Sequence, residues 1–313
     1  MTDAMRPLTF DDYTGQEHML PMLRVMVEAA RKRGDAVGHM LFSGPPGLGK
    51  TTVAQIVANE IGTQLHFVNA PTVNSIDKLR EILFRLNEND VLFIDEIHRM
   101  PIKVEELLYP AVEDFTTELT VGPDDAVEIM QVPIPKFTLI GATTRQGMVS
   151  TPLRTRFQQI FQMRYYNADD LGVIVKKSAD KLGLRMTTCG SLSIARRAKG
   201  TPRIALKLLQ TVFDFATAKG QDFIDGVFCD EALMSLGIDN KGLGHLERLF
   251  LETMIHKFQG RPVGIDALSS AVGEDAGTLE EIEAYLLRIG FVNRGKGGRT
   301  ATDAAVEHMK EMV

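Results

Sequence analysis

The segment Gly44-Pro45-Pro46-Gly47-Leu48-Gly49-Lys50-Thr51-Thr52 has the spacing GxxxxGK[ST] of a phosphate-binding loop. An apolar run at residues 39–42 precedes it and a helix-like pattern at 53–58 follows it, which is the strand-to-helix setting that the motif requires. In that setting the backbone N–H groups of the turn and of the helix start converge on a β-phosphate. Lys50 can reach the β- and γ-phosphates, and the Thr51 hydroxyl suits Mg²⁺. A glycine-rich turn that binds nothing is the alternative, and the flanking elements favour a site for a nucleoside triphosphate.

The chain of 313 residues is long enough for two or three domains. Its 44% hydrophobic and 24% charged residues are typical of a soluble globular protein. It has no apolar run of about 18 residues, so no membrane span is expected, and residues 1–6 lack the apolar centre of a secretory signal. The two cysteines, Cys189 and Cys229, have no metal-binding spacing and are expected to be small buried hydrophobic residues. These features favour a thiol-reduced, cytoplasmic protein.

The charge distribution is uneven. The net charge of −6 argues against a protein that coats nucleic acid generally. Residues 284–302, however, contain Arg288, Arg294, Lys296 and Arg299 and no acidic residue. A local basic tip on an acidic protein is what a small DNA contact needs.

Strand-like and helix-like segments alternate in the first half of the chain. Such alternation predicts an α/β core, a parallel sheet with helices on both faces. The predicted strands are 39–43, 65–69, 91–95 and 137–142, and the predicted helices are 16–33, 50–61, 75–87 and 101–114. Residues 116–135 interrupt the pattern with two short alternating runs around Gly122-Pro123-Asp124-Asp125, which predicts a hairpin that protrudes from the core.

The rest of the chain predicts two smaller domains after an ATPase core at 1–166. Strand signals stop at Asn167, and helical patterns at 168–182, 187–199, 202–219 and 228–236 predict an all-α lid domain at 167–239, with 237–244 as a linker. Residues 240–313 give three helices, at 243–257, 263–272 and 277–289, and then a strand–turn–strand with a glycine-rich tip. Three helices and a β-wing describe a winged helix, which is used mostly on DNA; a winged helix that contacts only protein is the alternative.

Two strand ends and two arginines carry candidate chemistry. A buried strand at 91–95 ends in Asp95 and Glu96, where Asp95 can hold the Mg²⁺ water shell and Glu96 can orient or deprotonate the attacking water. A strand at 139–142 leads to Thr144, whose hydroxyl could contact the γ-phosphate or the water. Arg156 lies next to an apolar anchor at the end of the core, which suggests an arginine that reaches the nucleotide of a neighbouring subunit. Arg203 opens a lid helix and could close that domain over phosphates.

In these residues the chain resembles the RuvB family of AAA+ ATPases, bacterial motors that drive branch migration of Holliday junctions. The resemblance covers nearly the whole chain and ends in FVNR and GRTAT of the wing. The other matching segments are GPPGLGKTT at 44–52, LFIDEIHR at 92–99, YPAVEDF at 109–115, FTLIGATTR at 137–145, LRTRF at 153–157 and GTPRIA at 200–205.

The resemblance implies ATP and Mg²⁺ as cofactors and a role for each matching residue. Thr51 and Asp95 would hold the metal, Asp95 and Glu96 would be the Walker B pair, and Thr144 and Arg203 would sense the nucleotide. Lys50 and Arg156 would join Asp95, Glu96 and Thr144 in catalysis, with Arg156 acting in trans. The nucleotide contacts would be Arg6, Gly47, Lys50, Thr51, Thr52, Glu113, Asp114, Phe115, Arg156, Tyr166, Pro202 and Arg203. Arg294 and Arg299 of the wing would meet the DNA backbone.

The resemblance also implies partners. They are double-stranded DNA or a four-way junction, further copies in a homohexamer, and a RuvA-like junction-binding protein that binds the hairpin at 116–135. Here residues 122–137 are acidic, whereas the family has a basic strand. Thr155 and Gln158 replace a usual acid and a usual glycine near Arg156. A divergent member with an altered partner is therefore an open alternative.

Two further classes of function share some of these motifs. An AAA+ loader or switch that assembles another protein on DNA would share the phosphate loop, the Walker B pair and the arginine. It would lack this wing together with the segments at 137–145 and 153–157. A nucleotide-binding regulator that does not hydrolyse would not need Glu96, Thr144 and Arg156. ATP-driven DNA translocation is the function that uses all of these features.

Overall fold

A five-stranded parallel sheet carries the phosphate loop after its strand Met40–Ser43. The computed structural model describes residues 5–121 and 128–311. The strands of the sheet are β1 (Met40–Ser43), β2 (Leu65–Asn69), β3 (Val91–Asp95), β6 (Thr138–Thr143) and β7 (Gln159–Gln162). Their order across the sheet is β2-β3-β6-β1-β7. Every residue of β1 and β6 is buried, as expected for a parallel sheet covered on both faces.

The predicted α/β core is therefore present, with one strand more than predicted. β7 is a four-residue edge strand in which only Phe161 is buried, so Gln159–Gln162 shows neither an alternating nor a continuous apolar pattern. That short pattern gave no strand signal in the sequence.

The helices of this part are α1 (Leu20–Arg33), α2 (Lys50–Ile61), α3 (Ile76–Phe84), α4 (Ile102–Glu113), α5 (Thr151–Arg156) and α6 (Ala168–Lys181). Helix α1 was predicted from residue 16 but begins at Leu20. Gln16 has a φ of 58°, which a helix cannot continue through, and a proline stands in the first turn of α1. Leu41, Leu92 and Leu139 of the sheet pack with α3 and α4 in one buried cluster, and α2 contacts β2, β3 and β6.

The hairpin consists of β4 (Thr116–Val121) and β5 (Glu128–Pro133), which pair antiparallel from Thr116–Pro133 to Val121–Glu128. The predicted turn at Gly122-Pro123-Asp124-Asp125 and its acidic residues lie outside the described part of the chain.

Contacts divide the described chain into two compact units. The first holds the residues up to Lys181 together with Gly200–Leu206, and the second holds Leu182–Lys199 and the residues from Lys207 onward. The helices of the second unit are α7 (Thr188–Arg197), most of α8 (Pro202–Lys219), α9 (Gly226–Ser235), α10 (His245–Glu252), α11 (Ile265–Val272), α12 (Ala276–Arg288) and α13 (Asp303–Glu311). A π-helical turn at Thr253–Lys257 follows α10.

Two details of the second unit differ from the sequence prediction. The predicted all-α lid contains a two-residue parallel pair of β8 (Arg185–Met186) and β9 (Phe223–Ile224). The wing of β10 (Val292–Gly295) and β11 (Gly298–Ala301) is present, and α13, which follows it, was not predicted. Apolar residues of α10, α11, α12, the wing and α13 share one core, so this last helix completes the hydrophobic packing of the winged helix.

The predicted linker at 237–244 is held by a buried polar cluster around Asp239. The Asp239 carboxylate accepts from the backbone N–H groups of Lys241 and Leu243, each at 2.8 Å, and lies 2.8 Å from Nε2 of His308. The Asp239 carbonyl accepts from Nε of Arg197 at 2.9 Å. Asp239 therefore ties α7, the linker and α13 to one another within the second unit. No helix among the described residues is long and apolar enough to cross a bilayer.

Candidate nucleotide-binding site

The phosphate loop needs glycine where the sequence places it. Gly47 has a φ of 81° and Gly49 a φ of 99°, in the left-handed region that side chains rarely adopt. A Cβ at Gly47 would lie 3.1 Å from Cβ of Arg203, and the backbone N–H of Arg203 donates to the Gly47 carbonyl at 3.3 Å. The loop is thus closely packed against the start of α8, which brings Arg203 next to the phosphate loop.

The Lys50 ammonium is buried inside this loop. Its Nζ donates to the carbonyls of Gly44 at 2.8 Å and Pro45 at 2.9 Å. Burial lowers the pKa of Lys50, whereas the carboxylates of Asp95 and Glu96 act to raise it. The ammonium is therefore held by neutral acceptors, which phosphate oxygens could replace.

The Walker B carboxylates lie at the same edge of the sheet. Asp95 ends β3, Lys50 follows β1 and Thr144 follows β6, and β6 lies between β3 and β1. Carboxyl ends of parallel strands meet at one edge, so Lys50, Asp95, Glu96 and Thr144 converge. The predicted constellation is thus brought together.

Glu96 has a strained backbone conformation, and two side chains contact its carboxylate. Its φ is 49°, which is uncommon for a residue other than glycine. Thr144 Oγ1 donates to Glu96 Oε2 at 3.1 Å, and His98 Nδ1 lies 3.3 Å from the same oxygen. Thr143 Oγ1 lies 2.9 Å from His98 Nδ1. Burial lowers the pKa of His98, which favours the neutral imidazole, while the Glu96 carboxylate opposes this shift.

His98 was not singled out in the sequence. The available signal was its position in LFIDEIHR, directly after a buried strand that ends in carboxylates.

A pocket of about 340 Å³ lies beside the loop, within the size range of small-molecule sites. The predicted residues Arg6, Thr52, Tyr166 and Pro202 are on its wall. Tyr13, Ile174, Lys177, Lys181 and Leu206 also line it and were not predicted, because they come from the N-terminal segment, α6 and α8 without a motif.

The two tyrosines of this pocket fix its wall next to the phosphate loop. The Tyr13 and Tyr166 hydroxyls are 2.8 Å apart, and the Tyr166 hydroxyl donates to the Leu48 carbonyl at 3.4 Å. Burial raises the pKa of both phenols, so both stay neutral. The pocket therefore offers flat, uncharged rings, which suit a nucleotide base.

Arg156 lies at the opposite edge of the sheet. Helix α5 precedes β7, so Arg156 is beyond the amino end of a strand that runs parallel to β1. The four residues of β1 span about 13 Å, which is the least distance between the two edges. Arg156 is thereby separated from Lys50 of its own chain.

Glu113, Asp114 and Phe115 lie with Arg156 and not beside Lys50. The Glu113 carboxylate accepts from Nη2 of Arg156 at 3.0 Å, and Asp114 ends α4. The Phe115 ring packs against Phe137, with a centroid distance of 6.0 Å. The predicted nucleotide contacts therefore fall into two groups at opposite edges of the sheet.

Gln158, which departs from the family pattern, is accommodated by a glycine. A Cβ at Gly38 would lie 1.5 Å from Oε1 of Gln158. The Gln158 side chain, which is larger than the usual glycine of the family, thus fills the space over Gly38.

The residues present fit a nucleotide that binds together with Mg²⁺. No group of three or more His, Cys, Asp or Glu side chains suited to a metal occurs among residues 5–121 and 128–311. Mg²⁺ usually keeps several waters and uses one or two protein oxygens together with phosphates. Thr51 and Asp95 remain the candidate protein ligands for that arrangement.

The two wing arginines have different environments. The Arg294 side chain is 59% exposed and lies 4.0 Å from Oε2 of Glu283. Arg299 is only 6% exposed, and its Nε and Nη2 donate to the two carboxylate oxygens of Glu283 at 2.8 and 3.0 Å. The expectation that Arg299 meets the DNA backbone is not supported, because its guanidinium is buried and occupied by Glu283. Arg294 and Lys296 are the exposed cations of the wing.

A parallel sheet with a phosphate loop, two carboxylates and a threonine hydroxyl at one edge, followed by a helical lid, defines a P-loop ATPase of the AAA+ class. Three family profiles match in succession: the Holliday junction DNA helicase RuvB P-loop domain at residues 5–163, the RuvB AAA lid domain at 166–239 and the RuvB C-terminal winged helix domain at 240–310. The chain belongs to the RuvB family.

Individual relatives agree with this assignment. The chain is 45% identical over 306 residues to a Holliday junction branch migration complex subunit RuvB of Microcystis aeruginosa, covering 97% of this chain and 86% of that protein. The structure of the Thermotoga maritima RuvB Holliday junction branch migration motor superposes with a TM-score of 0.84 at 40% identity, over 98% of both chains. A point mutant of the Thermotoga protein gives a TM-score of 0.85 over the same share of both chains.

Removing one partner of the Glu283–Arg299 pair should destabilise the winged helix. Arg299→Ala leaves a buried carboxylate unpaired, at a cost of about 3–5 kcal/mol, whereas the joint change of Glu283→Met and Arg299→Met should be nearly neutral. Hydrogen exchange of the α12 and β11 amides in the full chain measures the effect. Arg294→Ala is the matched control, because that arginine is exposed, and equal protection in Arg299→Ala and Arg294→Ala would refute the structural role.

Proposed function

We propose that this protein is an ATP-driven DNA translocase that powers branch migration of Holliday junctions as a ring of identical subunits. The observation that carries the proposal is the separation of Lys50, Asp95, Glu96 and Thr144 from Arg156 across the parallel sheet. A complete hydrolytic site then requires the Arg156 edge of a second copy. The family relationship supports the substrate, since the Microcystis and Thermotoga relatives are named for Holliday junction branch migration.

The residues at the carboxyl edge would hold ATP with Mg²⁺. The glycine loop and Lys50 would bind the phosphates, Thr51 and Asp95 would bind the metal, and Arg6, Tyr13 and Tyr166 would line the base pocket. The bound Mg²⁺ would neutralise charge on the β- and γ-phosphates. Arg203, whose backbone contacts Gly47, would sense the γ-phosphate from the start of α8.

Glu96 would take a proton from the attacking water. In the described structure one oxygen of its carboxylate is engaged by Thr144 and lies near His98. Thr144 would thus govern when Glu96 faces the water and when it is held back. The strained φ of Glu96 fits a residue whose direction matters for catalysis.

The wing would contact DNA through phosphates. Arg294 and Lys296 are exposed on β10 and on the turn that follows it, and phosphate contacts of this kind are independent of sequence. The hairpin would bind the RuvA-like partner, and its consecutive exposed residues Ile129 and Met130 offer apolar surface for that contact. We place the three domains at 1–166, 167–239 and 240–313, and expect the protein to act in the cytoplasm.

A loader that assembles another protein on DNA is the second candidate. It would share the ATP site but would not move a junction. Branch migration of a synthetic four-way junction, with ATP and with or without a RuvA-like protein, separates the two functions.

Glu96→Gln should bind ATP but hydrolyse it at least about 100-fold more slowly, because an amide cannot accept the proton of the attacking water. The same variant should fail to move the synthetic junction. Fluorescent-nucleotide binding, phosphate release and junction dissociation would be measured on one preparation. Unchanged hydrolysis would remove Glu96 from its role, and hydrolysis by the unaltered protein without junction movement would favour the loader.

Subunits with Arg156→Ala mixed with subunits with Lys50→Ala should recover ATPase activity that neither has alone. Each variant keeps the edge of the sheet that the other lacks, so mixed rings contain complete sites. Phosphate release across a range of mixing ratios measures the recovery. A flat response at all ratios would show that Arg156 does not act in trans.

Arg294→Ala should weaken binding to duplex DNA and reduce the slope of log K against log salt by about 1, as expected for one lost phosphate contact. The effect should be the same for unrelated DNA sequences, and ATPase activity without DNA should not change. Arg185→Ala, at an exposed arginine of the lid, is the matched control. An unchanged salt slope would assign the wing to protein contacts.

A further inference from the structure

Three side chains of α4 stand in a row beside Arg156. Glu105, Tyr109 and Glu113 are spaced four residues apart, which places them on one face of the helix. That face packs against α5, whose last residue is Arg156. We call Glu105, Tyr109 and Glu113 the α4 row.

The inner end of the row is buried and fixed. Glu105 is 4% exposed, and its Oε1 accepts from the Tyr109 hydroxyl at 2.7 Å and from the Ser150 hydroxyl. The Ser150 side chain in turn accepts from the backbone N–H of Leu153 and so caps the start of α5. Glu105 therefore sets both the position of the Tyr109 ring and the start of the helix that carries Arg156.

The guanidinium of Arg156 lies on this support. Its central carbon is 4.2 Å from the centroid of the Tyr109 ring, a close cation–π contact. Nη1 donates to the Pro152 carbonyl at 2.8 Å. Nε is buried and has no hydrogen-bond partner among the described residues, so the group is held by the ring and by its outer nitrogens.

The outer end of the row differs from the inner end. Glu113, which accepts from Nη2 of Arg156 at 3.0 Å, has a side chain that is 52% exposed, whereas the Arg156 side chain is 21% exposed. An ion pair at the surface is weak and open to competition from another anion. A phosphate group that arrived from solvent or from another subunit could therefore replace Glu113 without disturbing Tyr109 or Glu105.

We propose that Glu105 and Tyr109 are positioning residues that aim Arg156 at the nucleotide of the neighbouring subunit, and that Glu113 is the counterion which the phosphate displaces. This inference rests on the proposed function, because it assumes that Arg156 acts in trans. The rigid ring fixes the plane of the guanidinium before a neighbour binds, and Glu113 satisfies its charge until then. No bond is made or broken by the three residues of the row.

The test uses mixed rings of full-length subunits. Subunits with Lys50→Ala supply Arg156 and are the donors, and subunits with Arg156→Ala supply the ATP site and are the acceptors. Tyr109→Leu in the donors should lower the recovered kcat by at least about tenfold with little change in the KM for ATP, since a misaimed group loses transition-state stabilisation. Tyr109→Leu in the acceptors should leave the recovery unchanged, because those subunits have no arginine to aim.

Two further variants complete the test. Tyr109→Phe in the donors keeps the ring beneath the guanidinium and should keep most of the recovery, and Glu113→Gln in the donors should recover at least as much activity as the parent mixture. The thermal unfolding midpoint of each variant checks that it folds; should Tyr109→Leu fail to fold, Tyr109→Met in the donors, which also removes the ring, replaces it with the same expected loss.

The outcomes separate the two proposals. A parent mixture that recovers no activity would reject the trans role of Arg156 and with it the proposed function. A parent mixture that recovers activity, together with equal effects of Tyr109→Leu in donors and acceptors, would overturn the positioning role alone. Loss of recovery with Glu113→Gln would overturn the assignment of Glu113 as a displaceable counterion.

Discussion

The common direction of the five strands is the constraint on which the rest of the structure depends. In a parallel sheet every residue that follows a strand lies at one edge and every residue that precedes a strand lies at the other. Lys50, Asp95 and Thr144 follow or end strands, whereas Arg156 precedes β7. Under the proposed function, Arg156 would therefore reach the phosphate site of another copy of the chain, and assembly of copies would be part of the chemistry.

The charged groups of Lys50, Glu96 and Arg156 have one property in common. Each contacts a protein group that a ligand could replace. Lys50 donates to two loop carbonyls, one Glu96 oxygen is engaged by Thr144, and Arg156 is paired with a half-exposed Glu113. A buried charge without any partner would cost several kcal/mol, so these contacts keep the chain stable without nucleotide. Under the proposed function, nucleotide binding would exchange these partners for phosphate oxygens and so link the presence of nucleotide to the direction of these side chains.

The sequence predicted the parts of the fold and site that depend on local spacing. The phosphate loop, the strand that ends at Asp95 and the helix α2 are determined by residues close together in the chain. Strand β7, helix α13 and the pocket residue Tyr13 were missed because their place depends on distant packing and they carry no motif. Arg294 and Arg299 could not be told apart in the sequence, since both are arginines in the same basic stretch. Only the distant Glu283 makes one of them internal.

The difference between these two arginines follows from what a DNA contact requires. A residue that binds phosphates must be reachable and must give up its partner easily, and a buried bidentate pair such as Glu283–Arg299 does neither. Arg299 also exchanges backbone hydrogen bonds with Val263, which anchors β11 to the segment before α11. Arg299 therefore ties the wing to the core of the winged helix, and the exposed Arg294 lies opposite it on the partner strand. A fixed base of neighbouring side chains also lies beneath Arg156, whose side chain is 21% exposed, and there Glu105 and Tyr109 provide it.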